Sequence, residues 1–190
     1  SSGKMGFALA EACAERGAEV TLVAGPVSLK THHPAIKRID VESAGEMYQA
    51  AMTVFPSSDA AILCAAVADY RPENASEQKI KRETEREMTL HLVPNPDIAA
   101  SLGAIKREGQ VMVGFALETN DEATHAEGKL KRKNLDFIVL NSLRDQGAGF
   151  RCDTNKITII DNAGGVTSYP LKTKREVACD IVNKLVTLLK

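Results

Sequence analysis

Lysine residues at two places along the chain can bind phosphate groups. Lys79 lies in a densely charged segment, and Lys129 and Lys133 stand four residues apart on one face of a predicted helix. Ammonium groups that converge on a triphosphate stabilise the charge that develops when a phosphorus atom is attacked. A structural explanation is open for each place: a solvated charged segment for the first, and cations at a helix C-terminus for the second.

The first residues of the chain form another candidate site for an anion. Ser1, Ser2 and Gly3 are small residues that precede a predicted helix, and Lys4 adds a positive charge. Backbone N–H groups at a helix N-terminus can hold a phosphate, helped by the helix dipole. Ser2 as an ordinary N-cap explains the same residues. A Walker-type phosphate loop is excluded, because Met5 follows Lys4 where that motif needs Ser or Thr.

Two further segments stand where a parallel sheet would present a nucleotide site. Ala65 and Ala66 follow an apolar strand and leave room for a flat ring, and Asp69 can accept a hydrogen bond from a base or ribose. A strand-end turn with an exposed Asp is the alternative. Residues 95–98 begin a helix with Asn95 as the predicted N-cap, and the free amides there either contact a nucleobase or serve the helix alone.

Cysteine and histidine do not provide an obvious reactive site. The cysteines at positions 13, 64, 152 and 179 lie far apart, and the histidines show no ligand spacing, which argues against a zinc site or a disulfide framework. Cys64 lies in an apolar strand, and we expect it to be inert. The net charge of −1 gives no electrostatic case for a nucleic-acid or membrane partner. Cysteine usage predicts a cytoplasmic protein. No signal peptide is visible, but a chain that begins within a motif does not exclude a targeting segment.

The elements that must position these residues alternate along the chain. Helices are predicted at 3–16, 43–54, 96–107 and 121–133, and strands at 20–23, 36–41, 60–64, 111–116 and 136–140. A hairpin within residues 156–169 and a final amphipathic helix follow. We predict one α/β domain of residues 1–190 with a doubly wound, mostly parallel, Rossmann-like sheet, which binds ligands at the carboxyl ends of its strands.

One segment interrupts this alternation. Residues 71–87 are polar and densely charged, and they predict an exposed lid over the sheet. Residues 88–92 then alternate between apolar and polar side chains, as in a strand with one covered face.

Seven motifs resemble, in order and spacing, those of bacterial phosphopantothenoylcysteine synthetases. They lie at residues 1–6, 25–27, 65–70, 79–81, 95–98, 114–116 and 129–136. The resemblance implies a ligase that joins 4′-phosphopantothenate to L-cysteine, with CTP converted to CMP and pyrophosphate through an acyl-cytidylate and with Mg²⁺ around the triphosphate. In many bacteria this synthetase is the C-terminal half of a two-enzyme protein of coenzyme A biosynthesis, and FMN belongs to the decarboxylase half.

The resemblance also implies roles for single residues. Lys79 matches the catalytic lysine of the family's lid, where it would promote formation of the acyl-cytidylate. Nucleotide contacts would come from Ala65, Asp69, Lys79, Pro96, Asp97, Ile98, Ala99, Phe115, Lys129 and Lys133, and contacts to phosphate or substrate from Ser1, Ser2, Gly3, Lys4 and Ala66. Family members pair through the region of residues 88–92, and we therefore expect a homodimer.

Two departures from the family pattern qualify this expectation. Arg82 stands where the lid motif often has lysine. The family's first strand, its glycine-rich loop and an upstream Asn have no counterpart here, which predicts a domain lacking its N-terminal strand and loop. Two other functions stay open: an NAD(P)-dependent oxidoreductase on the same fold, and a non-catalytic nucleotide-binding module for which Lys79 is dispensable.

Overall fold

Helices pack on both sides of a central sheet. The structure is a computed structural model and describes residues 2–74, 88–118, 122–142 and 152–189. The α-helices in these ranges are α1 (Lys4–Glu15), α2 (Ala44–Val54), α3 (Ile98–Ile105), α4 (Glu122–Arg132) and α5 (Lys174–Leu188). The strands are β1 (Val20–Ala24), β2 (Ile36–Asp40), β3 (Ala60–Leu63), β4 (Tyr70–Pro72), β5 (Leu92–Pro94), β6 (Val111–Glu118), β7 (Phe137–Ser142), β8 (Thr154–Asn155), β9 (Ile157–Asp161), β10 (Val166–Ser168) and β11 (Lys172–Thr173). Within the described ranges, no helix has the length and apolar character needed to span a membrane.

The central sheet contains the parallel strands that the alternation predicts. Its strand order is β10-β9-β7-β6-β3, in which β3, β6 and β7 run parallel and β9 and β10 form an antiparallel edge. This arrangement confirms the predicted α/β class, the mostly parallel sheet, the C-terminal hairpin and the final helix. Beside the central sheet, β1 pairs with β2, β4 with β5, and β8 with β11.

Side chains of the central strands alternate between two cores. Val113 and Val139 pack with residues of α1 and α5 on one face. Met112 and Ile138 pack with residues of α3 and α4 on the other face. Burial of each such side chain stabilises the fold by about 1.5–3 kcal/mol. Because both faces are covered, these strands occur in the sequence as continuous apolar runs.

The predicted strand at residues 88–92 is displaced in the structure. The observed strand β5 is Leu92–Pro94, and it pairs with β4. The backbone N–H of Glu73 donates to the carbonyl of His91 at 2.9 Å and extends this ribbon. The bounds of β5 are therefore set by its pairing with β4, which the alternation of apolar and polar residues alone does not predict. The first residues of the predicted lid, 71 and 72, belong to β4, and residues 75–87 lie outside the described residues.

The start of α3 also differs from its prediction. Asp97 is the N-cap, and its carboxylate accepts a hydrogen bond from the backbone N–H of Ala100 at 3.0 Å. The prediction of Asn95 as N-cap is wrong because the Asn95 side chain is engaged with the loop that follows β3. Both residue types favour N-caps, and a tertiary contact decides between them.

The start of α1 is a glycine turn. Its N-cap is Gly3, which has a φ of 77° and no side-chain cap. The alternative interpretation of Ser2 as the N-cap is therefore wrong. A Cβ atom on Gly3 would lie 3.2 Å from a methyl group of Val27, so both backbone conformation and packing favour glycine there.

Candidate functional site

An open groove of about 2130 Å³ runs along the full length of β1 and β3 and past the carboxyl ends of β3 and β6. The predicted site residues that line it are Ser2, Gly3, Ala65, Ala66, Asp69, Pro96, Asp97, Ile98, Ala99, Phe115, Lys129 and Lys133. Segments far apart in the chain thus line one groove. Ala65, Ala66 and Asp69 follow the carboxyl end of β3, where parallel sheets bind ligands, whereas Lys129 and Lys133 lie at the end of α4, before β7 begins.

Among the described residues, one predicted site residue is not part of this lining. Lys4 lies outside it, and the ammonium group of Lys4 pairs with the carboxylate of Asp153 at 2.6 Å. The side-chain hydrogen bond from Lys4 lowers the pKa of Asp153. The proposed phosphate contact of Lys4 therefore has a competing partner in the structure. Ser1 and Lys79 lie outside the described residues.

Asn95 fastens the loop after β3 to the start of α3. Its Nδ2 donates to the carbonyl of Ala68 at 2.9 Å, and its backbone N–H donates to the carbonyl of Asp69 at 2.8 Å. Arg71 in turn donates to Oδ1 of Asn95 at 3.2 Å. These bonds hold the exposed residue Asp69 close to the N-terminus of α3. Sequence reasoning assigned Asn95 a capping role and missed this positioning role.

The carboxylate of Asp97 connects α3 to the end of α4. Its Oδ2 lies 3.0 Å from Nζ of Lys133, while Oδ1 caps α3. Burial raises the pKa of Asp97, but hydrogen bonds from Ala100 and Lys133 outweigh it and hold that pKa below its ordinary value. Asp97 is therefore ionised at neutral pH, and Lys133 is held at the groove by a charge-assisted hydrogen bond.

Close packing of α3 against the turn after α4 brings Asp97 and Lys133 together. A Cβ atom on Gly103 would lie 2.2 Å from the carbonyl oxygen of Lys133. Asn134, in the left-handed region with a φ of 50°, donates to the carbonyl of Gly103 at 3.0 Å. Only glycine at position 103 permits this approach of the two backbones.

The last turn of α4 presents its lysines in different directions. Lys129 is half-buried and lines the groove, whereas Lys131 is exposed and does not line it. This difference agrees with the predicted separation of the two residues onto different faces. Cations in a last turn also complement the helix dipole, so Lys129 has a structural as well as a ligand-binding explanation.

Three buried polar side chains that line the groove were missed by the sequence analysis. Asn141, Asn155 and Lys174 line the groove, and each is at most 7 % exposed. Nζ of Lys174 donates to Oδ1 of Asn155 at 2.9 Å and to the carbonyl oxygens of Cys152 and Thr154. Burial lowers the pKa of Lys174. The one available signal was Asn141, a carboxamide at the end of a strand that is otherwise apolar.

Cys64 lies at the carboxyl end of β3 and lines the same groove. Burial raises the pKa of its thiol to about 12. The thiol therefore stays protonated near neutral pH, which makes it a poor nucleophile. Among the described residues, no group of three or more His, Cys, Asp or Glu side chains is placed to hold a metal ion.

Comparison with known families assigns this domain. Residues 1–189 match the family model described as the DNA/pantothenate metabolism flavoprotein C-terminal domain. The chain belongs to this family. Membership confirms the resemblance that the seven motifs indicated.

The curated relatives that this chain matches are about twice as long as the chain. A cysteine/cysteine sulfinic acid decarboxylase from an unknown prokaryotic organism is 57 % identical over 189 residues, which cover 100 % of this chain and 52 % of that protein. The coenzyme A biosynthesis bifunctional protein CoaBC of Vibrio parahaemolyticus is 47 % identical over 190 residues, which cover 100 % of this chain and 47 % of that protein. The chain thus spans about half the length of the curated relatives it matches.

Solved structures of other proteins have the same fold as this chain. The crystal structure of the C-terminal domain of CoaBC has a TM-score of 0.82 and 36 % identity, and the match covers 100 % of this chain and 84 % of that chain. A Cab2 mutant in complex with phosphopantothenate-cysteine has a TM-score of 0.71 at 14 % identity, with 99 % and 79 % covered. At that identity the second likeness shows the fold alone.

Proposed function

We propose that the groove is the active site of a ligase of coenzyme A biosynthesis that joins 4′-phosphopantothenate to L-cysteine at the expense of CTP. The observation that carries this proposal is the meeting, in one groove, of the residues that the family resemblance assigns to the nucleotide. Family membership and the fold of the CoaBC C-terminal domain support it. FMN belongs to the decarboxylase half in this proposal and has no role in the groove.

The proposed reaction has two steps. In the first, a carboxylate oxygen of 4′-phosphopantothenate attacks the α-phosphorus of CTP, an O–P bond forms and pyrophosphate leaves. In the second, the amino group of cysteine attacks the acyl carbon, a C–N bond forms, and CMP leaves with that carboxylate oxygen while the amine loses a proton. Neither step needs a covalent bond to the protein, in keeping with the raised pKa of Cys64.

The groove offers a separate set of residues for each part of CTP. We assign the base and ribose to the start of α3 and to Asp69, and the phosphates to Lys129 and Lys133. Lys133 is already oriented by Asp97 at 3.0 Å, so it approaches a phosphate in a fixed position. Mg²⁺ would be held chiefly by the triphosphate, because the described residues contain no cluster of metal ligands.

Lys79 is the proposed catalytic residue for the first step. Its ammonium group would neutralise charge on the α-phosphate as the carboxylate attacks. We expect Lys79→Gln to abolish turnover while CTP still binds, and unchanged turnover would refute this role.

A homodimer is part of the proposal. Tyr70, Met88, Leu90 and Leu92 are all at least half exposed, and they cluster on the β4–β5 ribbon and the residues just before β5. A group of large exposed apolar side chains on one short ribbon is typical of a protein interface. We therefore assign this surface to the contact between two copies of the chain.

The proposal is tested with the protein as it is naturally expressed. CTP, 4′-phosphopantothenate, cysteine and Mg²⁺ are mixed with it, and pyrophosphate and CMP are followed separately. We expect pyrophosphate release to require 4′-phosphopantothenate, and CMP release to require cysteine as well. An absence of pyrophosphate would contradict the ligase assignment. Parallel assays for NAD(P)H oxidation and for CO₂ released from cysteine test the oxidoreductase alternative and the activity named for the decarboxylase relative.

A further inference from the structure

One buried side chain that lines the groove carries a polar atom without a partner among the described residues. Asn141 lies near the carboxyl end of β7, is 6 % exposed and lines the groove. Its Oδ1 has no hydrogen-bond partner within the described part of the chain. A buried acceptor without a partner is rare, because it has lost its water and gained nothing in return. An unpaired oxygen in a groove therefore indicates a donor on a ligand.

Asn155 and Lys174, the other two buried polar side chains that line the groove, have hydrogen-bond partners. Oδ1 of Asn155 accepts from Lys174 at 2.9 Å, and Nδ2 of Asn155 lies 3.7 Å from Sδ of Met5. Lys174 also donates to two backbone carbonyls beside it. The unpaired oxygen of Asn141 thus differs from the other buried polar side chains that line the groove.

Asn141 belongs to the opposite face of the sheet from Asp97 and Lys133, and to the same face as Phe115, another proposed nucleotide contact. Side chains alternate along β7, and Phe137 and Val139 enter the core formed with α1 and α5, so Asn141 shares that face. Asp97 and Lys133 belong to α3 and the end of α4, which pack on the other face. The face of Asn141 also packs against α1, and Ser2 and Gly3, at the N-terminus of that helix, line the same groove and are assigned to phosphate or substrate by the family resemblance.

We propose that Asn141 binds the non-nucleotide substrate by accepting a hydrogen bond from an N–H group, an inference that rests on the proposed function. The amide of 4′-phosphopantothenate and the ammonium group of cysteine both provide such a donor. A substrate that lacks the donor leaves the Asn141 oxygen unpaired and is bound more weakly. Asn141 is therefore a residue that selects the acid or the amino acid.

The test compares wild type with Asn141→Leu, which keeps the side-chain size and removes the polar group. We expect the Leu variant to be at least as stable to urea as wild type, because the unpaired acceptor is gone. We also expect kcat/KM to fall about tenfold for one of the two non-nucleotide substrates, the loss of one hydrogen bond. The KM for CTP stays the same. The substrate whose kcat/KM falls identifies the donor, amide or ammonium.

Asn155→Leu serves as the structural control, since it removes an acceptor from Lys174 and should lower stability. Calorimetric binding of 4′-phosphopantothenate and of cysteine, which needs no turnover, separates this inference from the proposed function. If wild type shows no ligase activity, the proposed function is contradicted. If Asn141→Leu then still binds 4′-phosphopantothenate or cysteine more weakly than wild type, the inference about Asn141 is supported. Unchanged kinetics and binding in Asn141→Leu, or a change confined to CTP, would overturn the inference.

Discussion

Asp97 stabilises the fold and orders the groove at the same time. Replacing it with Ala removes the N-cap of α3 and the partner of Lys133. We expect Asp97→Ala to lower the free energy of unfolding by about 1 kcal/mol, chiefly through the lost cap, since an exposed ion pair adds only a few tenths. Urea denaturation measures this. Asp69→Ala, at an exposed position of the same groove, should leave stability unchanged and weaken CTP binding; an equal loss of stability in both variants would contradict these roles.

The effect of Asp97 on stability should depend on pH in one direction. Its folded-state pKa lies below the ordinary value, so the carboxylate stabilises the fold above the unfolded-state pKa, and this contribution is lost as pH falls through the folded-state pKa. The stability difference between wild type and Asp97→Ala should therefore be constant near neutral pH. It should shrink below about pH 4, the usual range of an Asp carboxyl. A difference that grows on acidification would contradict the lowered pKa.

Lys129 and Lys131 offer a matched pair in the last turn of α4. Lys129 lines the groove and Lys131 does not. We expect Lys129→Gln to weaken CTP binding about tenfold, as for the loss of one charge-assisted contact to a phosphate. Lys131→Gln should bind CTP as wild type does while losing the same favourable interaction with the helix dipole. Titration calorimetry of both variants checks this, and equal affinities would leave Lys129 with its dipole role alone.

At the scale of elements, the contact of α3 with the turn after α4 sets the geometry of the groove. A Cβ atom on Gly103 would meet the carbonyl oxygen of Lys133 at 2.2 Å, whereas one on Gly6 in α1 would meet nothing within 4 Å. We expect Gly103→Ala to destabilise the protein by about 1–3 kcal/mol through overpacking. Gly6→Ala should be neutral or stabilising, because alanine favours a helix by up to about 1 kcal/mol. Thermal unfolding of the two variants measures this, and a neutral Gly103→Ala would show that the two backbones separate easily.

Elements in the sheet core were the most predictable from sequence. Residues of β6 and β7 are apolar in unbroken runs because both faces are covered, and such runs predict strands directly. Boundaries were less predictable where a long-range contact decides them. The start of α3 moved from Asn95 to Asp97 because Asn95 binds Ala68, which lies 27 residues away in the chain.

Site residues that belong to a recognisable sequence motif were predictable. Site residues that reach the groove only through strand pairing were not. Asp69 follows the carboxyl end of β3, where parallel topology places ligand contacts. Lys129 lies in the last turn of α4, before β7 begins, and only its helix spacing with Lys133 was visible in the sequence. The surroundings of Asn141 depend on β7 pairing with β9, which brings Asn141 opposite Ile157. Neither the spacing nor the type of these residues predicts that strand register, so the place of Asn141 in the groove lining is visible only in the structure.

At the scale of the molecule, the β4–β5 ribbon should hold two copies together. We expect wild type to sediment as a dimer and Leu90→Asp to shift it toward monomer, because a charge in an apolar interface must be desolvated. Val166→Asp, at a large apolar side chain that is 65 % exposed on β10, serves as the control and should stay dimeric. Analytical ultracentrifugation distinguishes the species. A Leu90→Asp protein that sediments like wild type would remove the ribbon from the interface.

The groove also borders strands that do not share a sheet. Among the described residues, β1 and β3 belong to different sheets although both line the groove.

The first strand and glycine-rich loop of the family, expected upstream of Ser1, stay a prediction, as does the lid at residues 75–87.

The path of one oxygen atom tests the central claim most directly. If 4′-phosphopantothenate carries ¹⁸O in its carboxylate, formation of an acyl-cytidylate transfers one labelled oxygen to the phosphate of CMP. We therefore predict that CMP formed in the presence of CTP, cysteine and the protein contains one ¹⁸O atom per molecule, as read by mass spectrometry, and that the product amide keeps the other. CMP without label, or no CMP at all, would contradict the assignment of this groove to a CTP-dependent ligase.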